Sequence, residues 1–161
     1  MNKYAPHVYV IPEDDADRAL ANGFVDHHQV KYMRIQVAPT AGGWGKVLKI
    51  FRDEYVPWLR KYSDAHVVML IDFDDQVVNR KAQFENEVPE ELKARVFVIG
   101  SKLNPERLKQ ALNLEFERIG DTLASECYAG ATEHWDHEHL KHNDAERKRL
   151  IATVRPFLFE S

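Results

Sequence analysis

Residues 67–75, Val-Val-Met-Leu-Ile-Asp-Phe-Asp-Asp, form the stretch that decides the fold. Five apolar residues in succession predict a strand buried on both faces, as the strands of parallel sheets are. Asp72 and Asp74 follow with a spacing of two, so an extended backbone would point both carboxylates to one side. Ligands of open α/β sheets bind beyond such strand ends, and Mg²⁺ prefers carboxylate oxygens. The stretch therefore predicts a buried strand that ends in a cation site, with an Asp-rich turn as the alternative.

The composition predicts a globular cytoplasmic protein. The 161 residues suit one domain spanning 1–161, with 44% hydrophobic and 30% charged residues. No apolar run approaches the ~20 residues of a membrane helix. Cys127 is the only cysteine, which excludes an internal disulfide and a Cys-rich zinc module. The net charge of −4 means that any nucleic-acid contact must be local, aided by a metal or shared with a partner chain.

Strand-like and helix-like segments alternate through the first two-thirds of the chain. This alternation predicts an α/β fold with a three-layer, mostly parallel sheet, a core at about 5–112 and a helical C-terminal extension at about 113–161. The predicted strands are His7–Ile11, Lys31–Val37, His66–Asp72 and Arg95–Ile99. The predicted helices are 14–21, one that starts near Trp44, a short one before Glu85, 104–112, 116–124 and 144–154.

The end of the first predicted strand is also acidic. Glu13, Asp14, Asp15 and Asp17 follow it within five residues. An acidic first turn of a helix is common, because it complements the helix dipole. If the first and third strands lie side by side, however, their carboxylates meet, and clustered carboxylates repel one another unless a cation neutralises them. We therefore predict a divalent metal held between the two strand ends.

These motifs resemble the Toprim domain over roughly residues 5–112. Glu13 with Asp17 four positions on resembles the motif that ends the family's first strand, and Asp72-Phe73-Asp74 resembles its Asp-x-Asp after the third strand. Asp14 stands where the family has glycine. The Gly-rich segment 42–45 and an acidic residue after the fourth strand, Glu106, resemble the small stand-alone members and the nucleases of overcoming-lysogenization-defect type.

The resemblance implies a nuclease that cleaves phosphodiesters with Mg²⁺ or Mn²⁺. Glu13, Asp72 and Asp74 would be catalytic, and the same three side chains with Glu106 would hold the metal; Glu13 could instead act as general acid and base. The resemblance also implies nucleic acid as substrate, a partner ATPase and a role in anti-phage defence. Two alternatives remain open: a non-catalytic binding or regulatory subunit, favoured by Asp14 and the acidic net charge, and a small-molecule phosphohydrolase.

Three lysines are candidates for contact with substrate phosphates. A Gly-rich turn that enters a helix can bind phosphate through its backbone N–H groups, and Lys46 and Lys49 follow such a turn. The turn is not a Walker A motif, because Thr40 and Val47 occupy two of its required positions. Lys102, just after the fourth predicted strand, is the third candidate.

The segment from His134 to His142 contains four histidines and several carboxylates. Zinc binds imidazole and carboxylate, but the spacing matches no established zinc motif. We therefore favour a polar helix or loop over a metal site. A further possibility is that this segment covers the carboxylate cleft.

Overall fold

The computed structural model describes residues 1–161 and contains one four-stranded, all-parallel sheet with the order β2-β1-β3-β4. The strands are β1 (His7–Pro12), β2 (Ile35–Val37), β3 (Ala65–Asp72) and β4 (Val96–Ser101). In the β1–β3 pair, Val10 lies opposite Val68 and Pro12 opposite Leu70. The first and third strands are therefore neighbours, and the predicted α/β class is confirmed.

Seven α-helices surround the sheet. They are α1 (Asp15–Val25), α2 (Trp44–Ile50), α3 (Val56–Lys61), α4 (Val77–Asn86), α5 (Pro105–Leu112), α6 (Phe116–Ala129) and α7 (Asp144–Leu158). A π-helical segment, Phe51–Tyr55, joins α2 to α3. Three helices continue beyond their predicted ends: α1 runs through Gly23 to Val25, α6 stops only at Gly130, which adopts the left-handed conformation, and α7 continues through Pro156. None of these helices is both long enough and apolar enough to cross a lipid bilayer.

The helices form a layer on each face of the sheet. On one face α1, α5, α6 and α7 pack against the side chains of Val8, Val10, Val68, Leu70, Phe97 and Ile99. On the other face the helices from α2 to α4 pack against Ile11, Val67, Met69, Ile71, Val96 and Val98. All eight residues of β3 are buried, because this central strand is covered on both sides. The C-terminal helices α6 and α7 are thus part of the first layer.

The second strand is shorter than predicted. Pairing with β1 begins only at Ile35, and Tyr32–Arg34 form a 3₁₀ turn instead of the predicted strand residues. The Arg34 N–H donates to the Lys31 carbonyl at 2.8 Å, and the Lys31 N–H donates to Leu158 at 2.7 Å. These backbone donors have partners outside the sheet, so strand pairing there is lost.

Two glycines allow α1 and α6 to approach each other closely. A Cβ atom on Gly120 would overlap the carbonyl oxygen of Leu20, and a Cβ atom on Gly23 would overlap that of Glu117. Because backbone atoms cannot move aside as a flexible side chain can, only glycine fits at these positions. The contact fixes α1 against α6, and the first turn of α1 lies at the carboxyl end of the sheet.

Side chains of α7 and of the turn before it cover the free edge of β4. Glu146 Oε2 accepts from the Val98 N–H at 2.9 Å, Asn143 Oδ1 accepts from the Gly100 N–H at 3.2 Å, and Arg149 Nη2 donates to the Val96 carbonyl at 2.6 Å. An uncovered edge strand invites pairing with other chains. The polar groups of this edge are instead satisfied within the molecule.

Candidate metal centre

Three carboxylates converge at the carboxyl edge of the sheet. Glu13 follows β1 directly, Asp72 is the last residue of β3, and Asp17 lies in the first turn of α1. Each offers an oxygen atom, and these atoms all lie within 4.8 Å of one another. The three residues are deeply buried, with exposed fractions of 6% for Glu13, 1% for Asp17 and 7% for Asp72. We call these three residues the carboxylate cluster.

Hydrogen bonds to backbone N–H and carbonyl groups position Glu13 and Asp17 in the carboxylate cluster. The Glu13 N–H donates to the Leu70 carbonyl at 2.9 Å, and Glu13 Oε2 accepts from the Asp72 N–H at 2.7 Å. Asp14 begins α1 as its N-cap, because its Oδ1 accepts from the Asp17 N–H at 2.9 Å. Asp14 has a φ of −136°, which any residue adopts, so this chain needs no glycine where the Toprim family has one.

The glycine-rich turn supports Glu13 from the other side. The N–H groups of Gly42 and Gly43 donate to the Glu13 carbonyl at 2.8 and 3.2 Å. Both glycines have positive φ, +97° and +141°, a region that side chains other than glycine rarely adopt. These two amides are therefore already engaged within the chain, which differs from the phosphate-binding role that the sequence predicts for the turn.

No cationic side chain neutralises the carboxylate cluster. Lysine, arginine and histidine form ion pairs elsewhere in the molecule, but none with Glu13, Asp17 or Asp72. Asp17 Oδ2 and Asp72 Oδ1 are buried and have no hydrogen-bond partner. Buried carboxylates without a partner are costly. The cluster therefore needs either protons or a bound cation.

Burial shifts the pKa values of all three carboxyl groups upward. It raises the pKa of Asp72 strongly, and the neighbouring Asp17 carboxylate raises it further. Burial also raises the pKa of Asp17, with Asp14 adding to the effect. For Glu13, burial raises the pKa while the hydrogen bond from the Asp72 N–H opposes the shift. Without a cation the cluster therefore retains protons at neutral pH, which a divalent ion would displace.

Two of the predicted metal ligands, Glu13 and Asp72, belong to the carboxylate cluster. Glu13 and Asp72 meet as predicted, but the third member is Asp17 rather than Asp74. Asp74 lies outside this close group: β3 ends at Asp72, and the half-exposed Asp74 carboxylate lies 3.5 Å from Arg80 Nη1, although its charge still contributes to the raised pKa of Glu13. Glu106, in the first turn of α5, is exposed and also lies outside the cluster.

Sequence reasoning did not single out Arg80, which lies beside the cluster. Its exposed fraction is only 8%, and its guanidinium stacks 4.5 Å over the Trp44 ring. Nη1 donates to the Asp72 carbonyl at 3.3 Å and lies 3.5 Å from Asp74 Oδ2. Nε and Nη2 make no hydrogen bond within the chain. Arg80 thus presents unused donors next to the end of β3.

The three predicted phosphate-binding lysines lie on the surface near these strand ends. Lys46 is exposed beside Gly42. Lys49 forms a 2.6 Å ion pair with Asp53, one helical turn further along the chain, so its charge is partly neutralised. Lys102 follows β4 and lies 4.0 Å from Asp75. Their contact with a substrate stays a prediction.

The His-rich segment lies against the carboxyl end of β4. The His139 carbonyl accepts from the Lys102 N–H at 2.9 Å, and His142 Nε2 donates to the Gly100 carbonyl at 2.8 Å. The His142 ring also packs on the Phe73 ring at 5.1 Å. No histidine of the segment belongs to a group of three or more metal-ligating side chains, so its geometry supports a covering loop rather than a zinc site.

Comparison with family models, curated proteins and solved structures found no match for this chain. The Toprim resemblance therefore stays a prediction from short motifs. The geometry itself shows a buried acidic triad that could hold a metal ion. Carboxylate oxygens at this density suit a hard divalent cation such as Mg²⁺ or Mn²⁺ better than a soft one.

Proposed function

We propose that this protein is a Mg²⁺- or Mn²⁺-dependent phosphodiesterase that acts on nucleic acid. One observation carries the proposal: three buried carboxylates with no counter-cation meet at the carboxyl edge of a parallel sheet. This edge is where open α/β sheets bind their ligands. The Toprim-like order of Glu13, Asp17 and Asp72 along the chain supports phosphodiester chemistry at this edge.

The unpartnered oxygens of the cluster fit a hard cation. Asp17 Oδ2 and Asp72 Oδ1 are buried without partners and would be ligands, together with Glu13. A divalent ion held there supplies Lewis-acid polarisation of a phosphoryl oxygen and lowers the pKa of water. Glu13 also suits proton transfer, since burial raises its pKa and its hydrogen bond within the chain uses only Oε2.

Arg80 is the side chain that we assign to substrate binding beside the metal. Its planar guanidinium is held by Trp44 and by the Asp72 carbonyl, and its free donors match the geometry of a phosphate. Lys46 and Lys102 would add surface contacts. Because the net charge is −4, these few cations and the bound metal, or a partner chain such as an ATPase, would supply the local attraction.

One observation favours a second candidate, a non-catalytic binding or regulatory subunit stabilised by a metal. The cluster residues are at most 7% exposed, so little oxygen surface faces a substrate. In this case the ion would be structural, joining α1 to the ends of β1 and β3. Both candidate functions require a bound metal ion. They differ in whether a phosphodiester substrate can contact that ion.

Cleavage of supercoiled plasmid and of single-stranded oligonucleotide in Mn²⁺ tests the proposal. We expect nicking by the wild type, loss of nicking in Asp72→Asn and Asp17→Asn, and retention in Asp75→Asn, a matched control at an exposed position three residues on. Mn²⁺ binding by calorimetry without cleavage would support the regulatory subunit instead. Turnover of p-nitrophenyl phosphate but not of DNA would indicate a small-molecule phosphohydrolase.

A further inference from the structure

We propose that the hydroxyl group of Ser101 is a fourth ligand of the divalent ion at the carboxylate cluster. Ser101 is the last residue of β4, and no motif of the sequence singles it out. The inference rests on the metal of the proposed function, and it extends that site from the ends of β1 and β3 to the end of β4. It does not require that the protein cleaves a phosphodiester.

Strand pairing places Ser101 beside Asp72. The two residues lie opposite each other in the parallel register of β3 and β4. The pairing continues past them, because the Phe73 N–H donates to the Ser101 carbonyl at 3.0 Å. The backbones of neighbouring strands lie about 4.7–4.9 Å apart, and residues opposite each other point their side chains to the same face of the sheet. The Ser101 hydroxyl and the Asp72 carboxylate are therefore neighbours on one face.

This face is the one that α1 covers. Leu70 and Ile99 precede Asp72 and Ser101 by two residues in their strands, and both belong to the core between the sheet and α1, α5, α6 and α7. Strand side chains return to the same face every second residue. Asp17 of α1 and Ser101 also border the same apolar cavity in this layer. Ser101 thus points from β4 to the face of the sheet on which Asp17 and Asp72 meet.

The Ser101 hydroxyl has no partner within the chain. Ser101 is 5% exposed, and its Oγ is buried without a hydrogen bond. A serine in a helix can donate to the carbonyl group four residues back, but Ser101 lies in a strand, where this acceptor is not available. Folded proteins nearly always pair buried hydroxyl groups. Asp72 Oδ1 also lacks a partner, so residues opposite each other on adjacent strands both carry unused oxygen atoms.

A divalent ion at the cluster accounts for both unused oxygen atoms. Serine and threonine hydroxyls bind Mg²⁺ in the phosphate-binding loops of nucleotide hydrolases. Three carboxylates carry more negative charge than one divalent ion balances, so a neutral fourth ligand completes the site without further repulsion. Mg²⁺ prefers an octahedral set of oxygen atoms. One oxygen each from Glu13, Asp17, Asp72 and Ser101 would leave positions for water or for a phosphoryl oxygen of a substrate.

Mn²⁺ titration of purified Ser101→Ala, without nucleic acid, tests the inference. We expect the affinity to fall by about three- to tenfold, comparable to the loss of one hydrogen bond. In EDTA the same variant should melt no lower than the wild type, because the hydroxyl has no partner in the chain to lose. Ser125→Ala, at an exposed position of α6, is the control and should leave Mn²⁺ affinity unchanged.

Ser101→Cys distinguishes a metal ligand from a residue that only packs near the site. A thiolate favours soft ions such as Cd²⁺, whereas Mn²⁺ prefers oxygen ligands. Competition between Cd²⁺ and bound Mn²⁺ measures the preference at this site alone. We expect the ratio of Cd²⁺ to Mn²⁺ affinity to rise at least about tenfold in Ser101→Cys. Ser125→Cys, which adds a thiol away from the cluster, should leave the ratio unchanged.

The outcomes separate this inference from the proposed function. Equal Mn²⁺ affinity in the wild type and Ser101→Ala, or an unchanged metal preference in Ser101→Cys, would overturn the inference and leave the phosphodiesterase standing. Mn²⁺ binding that depends on Ser101, without cleavage of DNA, would support the inference and count against the phosphodiesterase. A wild type that binds no Mn²⁺ would overturn both.

Discussion

The backbone N–H of Asp72 donates a hydrogen bond of 2.7 Å to Glu13 Oε2. This bond joins the ends of β1 and β3, 59 residues apart in the sequence. It extends the pairing of the two strands by one step beyond Pro12 and Leu70, and it turns the Glu13 carboxylate toward the cluster instead of into solvent. The meeting of Glu13 and Asp72 is thus a consequence of parallel strand pairing.

Mn²⁺ should bind at the cluster and raise the melting temperature of the protein. Asp17→Asn and Asp72→Asn each remove a charged ligand, so we expect at least a tenfold weaker affinity, about 1.4 kcal/mol. Calorimetry with each purified variant measures the effect. Asp74→Asn is the matched control, because Asp74 is half-exposed and outside the cluster; equal losses in Asp74→Asn and Asp72→Asn would contradict the assignment of ligands.

Stability in EDTA should fall as the pH rises. Burial raises the pKa values of Asp17 and Asp72 in the folded chain, so above about pH 4 the folded state binds more protons than the unfolded state. The free energy of unfolding therefore decreases with pH until the folded pKa values are passed. In urea titrations we expect Asp72→Asn to be more stable than the wild type by about 1–3 kcal/mol near pH 8.

Below about pH 4 this difference should shrink, since the carboxyl groups then become protonated in the unfolded state as well as in the folded state. Excess Mn²⁺ should stabilise the wild type at pH 8 more than Asp72→Asn, by at least about 1.4 kcal/mol for an affinity that is at least tenfold weaker in the variant. A difference between the two proteins that grows toward low pH would show that the sign of the proposed pKa shifts is incorrect.

The glycine-rich turn offers a matched pair of substitutions. Gly43 has a φ of +141°, so Gly43→Ala should destabilise the protein by about 1–3 kcal/mol and weaken Mn²⁺ binding through Glu13. Gly45 lies inside α2 with open space around its Cα, so Gly45→Ala should be neutral or stabilising by up to about 1 kcal/mol. Thermal unfolding and Mn²⁺ titration of both variants compare the two. Equal effects on stability would show that backbone conformation is not the cause.

Several parts of this structure could be predicted because their signals are local. The apolar run of β3 needs no partner to be recognised as a doubly buried strand, and α5 begins at Asn104 and Pro105 because these residues cap and start helices by themselves. Glu13 and Asp72 could be paired because alternating strands and helices imply a parallel sheet. The signals for β3 and α5 each lie within one short segment, whereas the pairing of Glu13 with Asp72 follows from the order of strands and helices along the chain.

Other parts depend on contacts between distant segments. The residues before Ile35 leave the sheet because Leu158, at the far end of the chain, accepts the Lys31 N–H. Asp17 belongs to the Toprim-like motif of the sequence, yet no local pattern indicates that its carboxylate lies within 4.8 Å of those of Glu13 and Asp72, because that requires α1 and the ends of β1 and β3 to meet. The role of Arg80 requires Trp44 and the end of β3 to meet, which no local pattern indicates.

Arg80 should affect cleavage without affecting metal binding. Its guanidinium contacts the Asp72 carbonyl and not the carboxylate oxygens of the cluster. We expect Arg80→Lys to keep Mn²⁺ affinity within about twofold while lowering plasmid nicking at least tenfold, because a lysine cannot bind phosphate in the bidentate manner. Arg52→Lys, on an exposed helix position, is the control. Parallel losses of affinity and of nicking in Arg80→Lys would instead indicate a structural role.

Anomalous diffraction from crystals grown in MnCl₂ is the most direct test of the carboxylate cluster. We predict one Mn²⁺ ion bound by oxygen atoms of Glu13, Asp17 and Asp72, absent from crystals of Asp17→Asn. A saturated crystal with no anomalous peak among these three side chains, or with manganese held by Asp74 and Glu106 instead, would contradict the account.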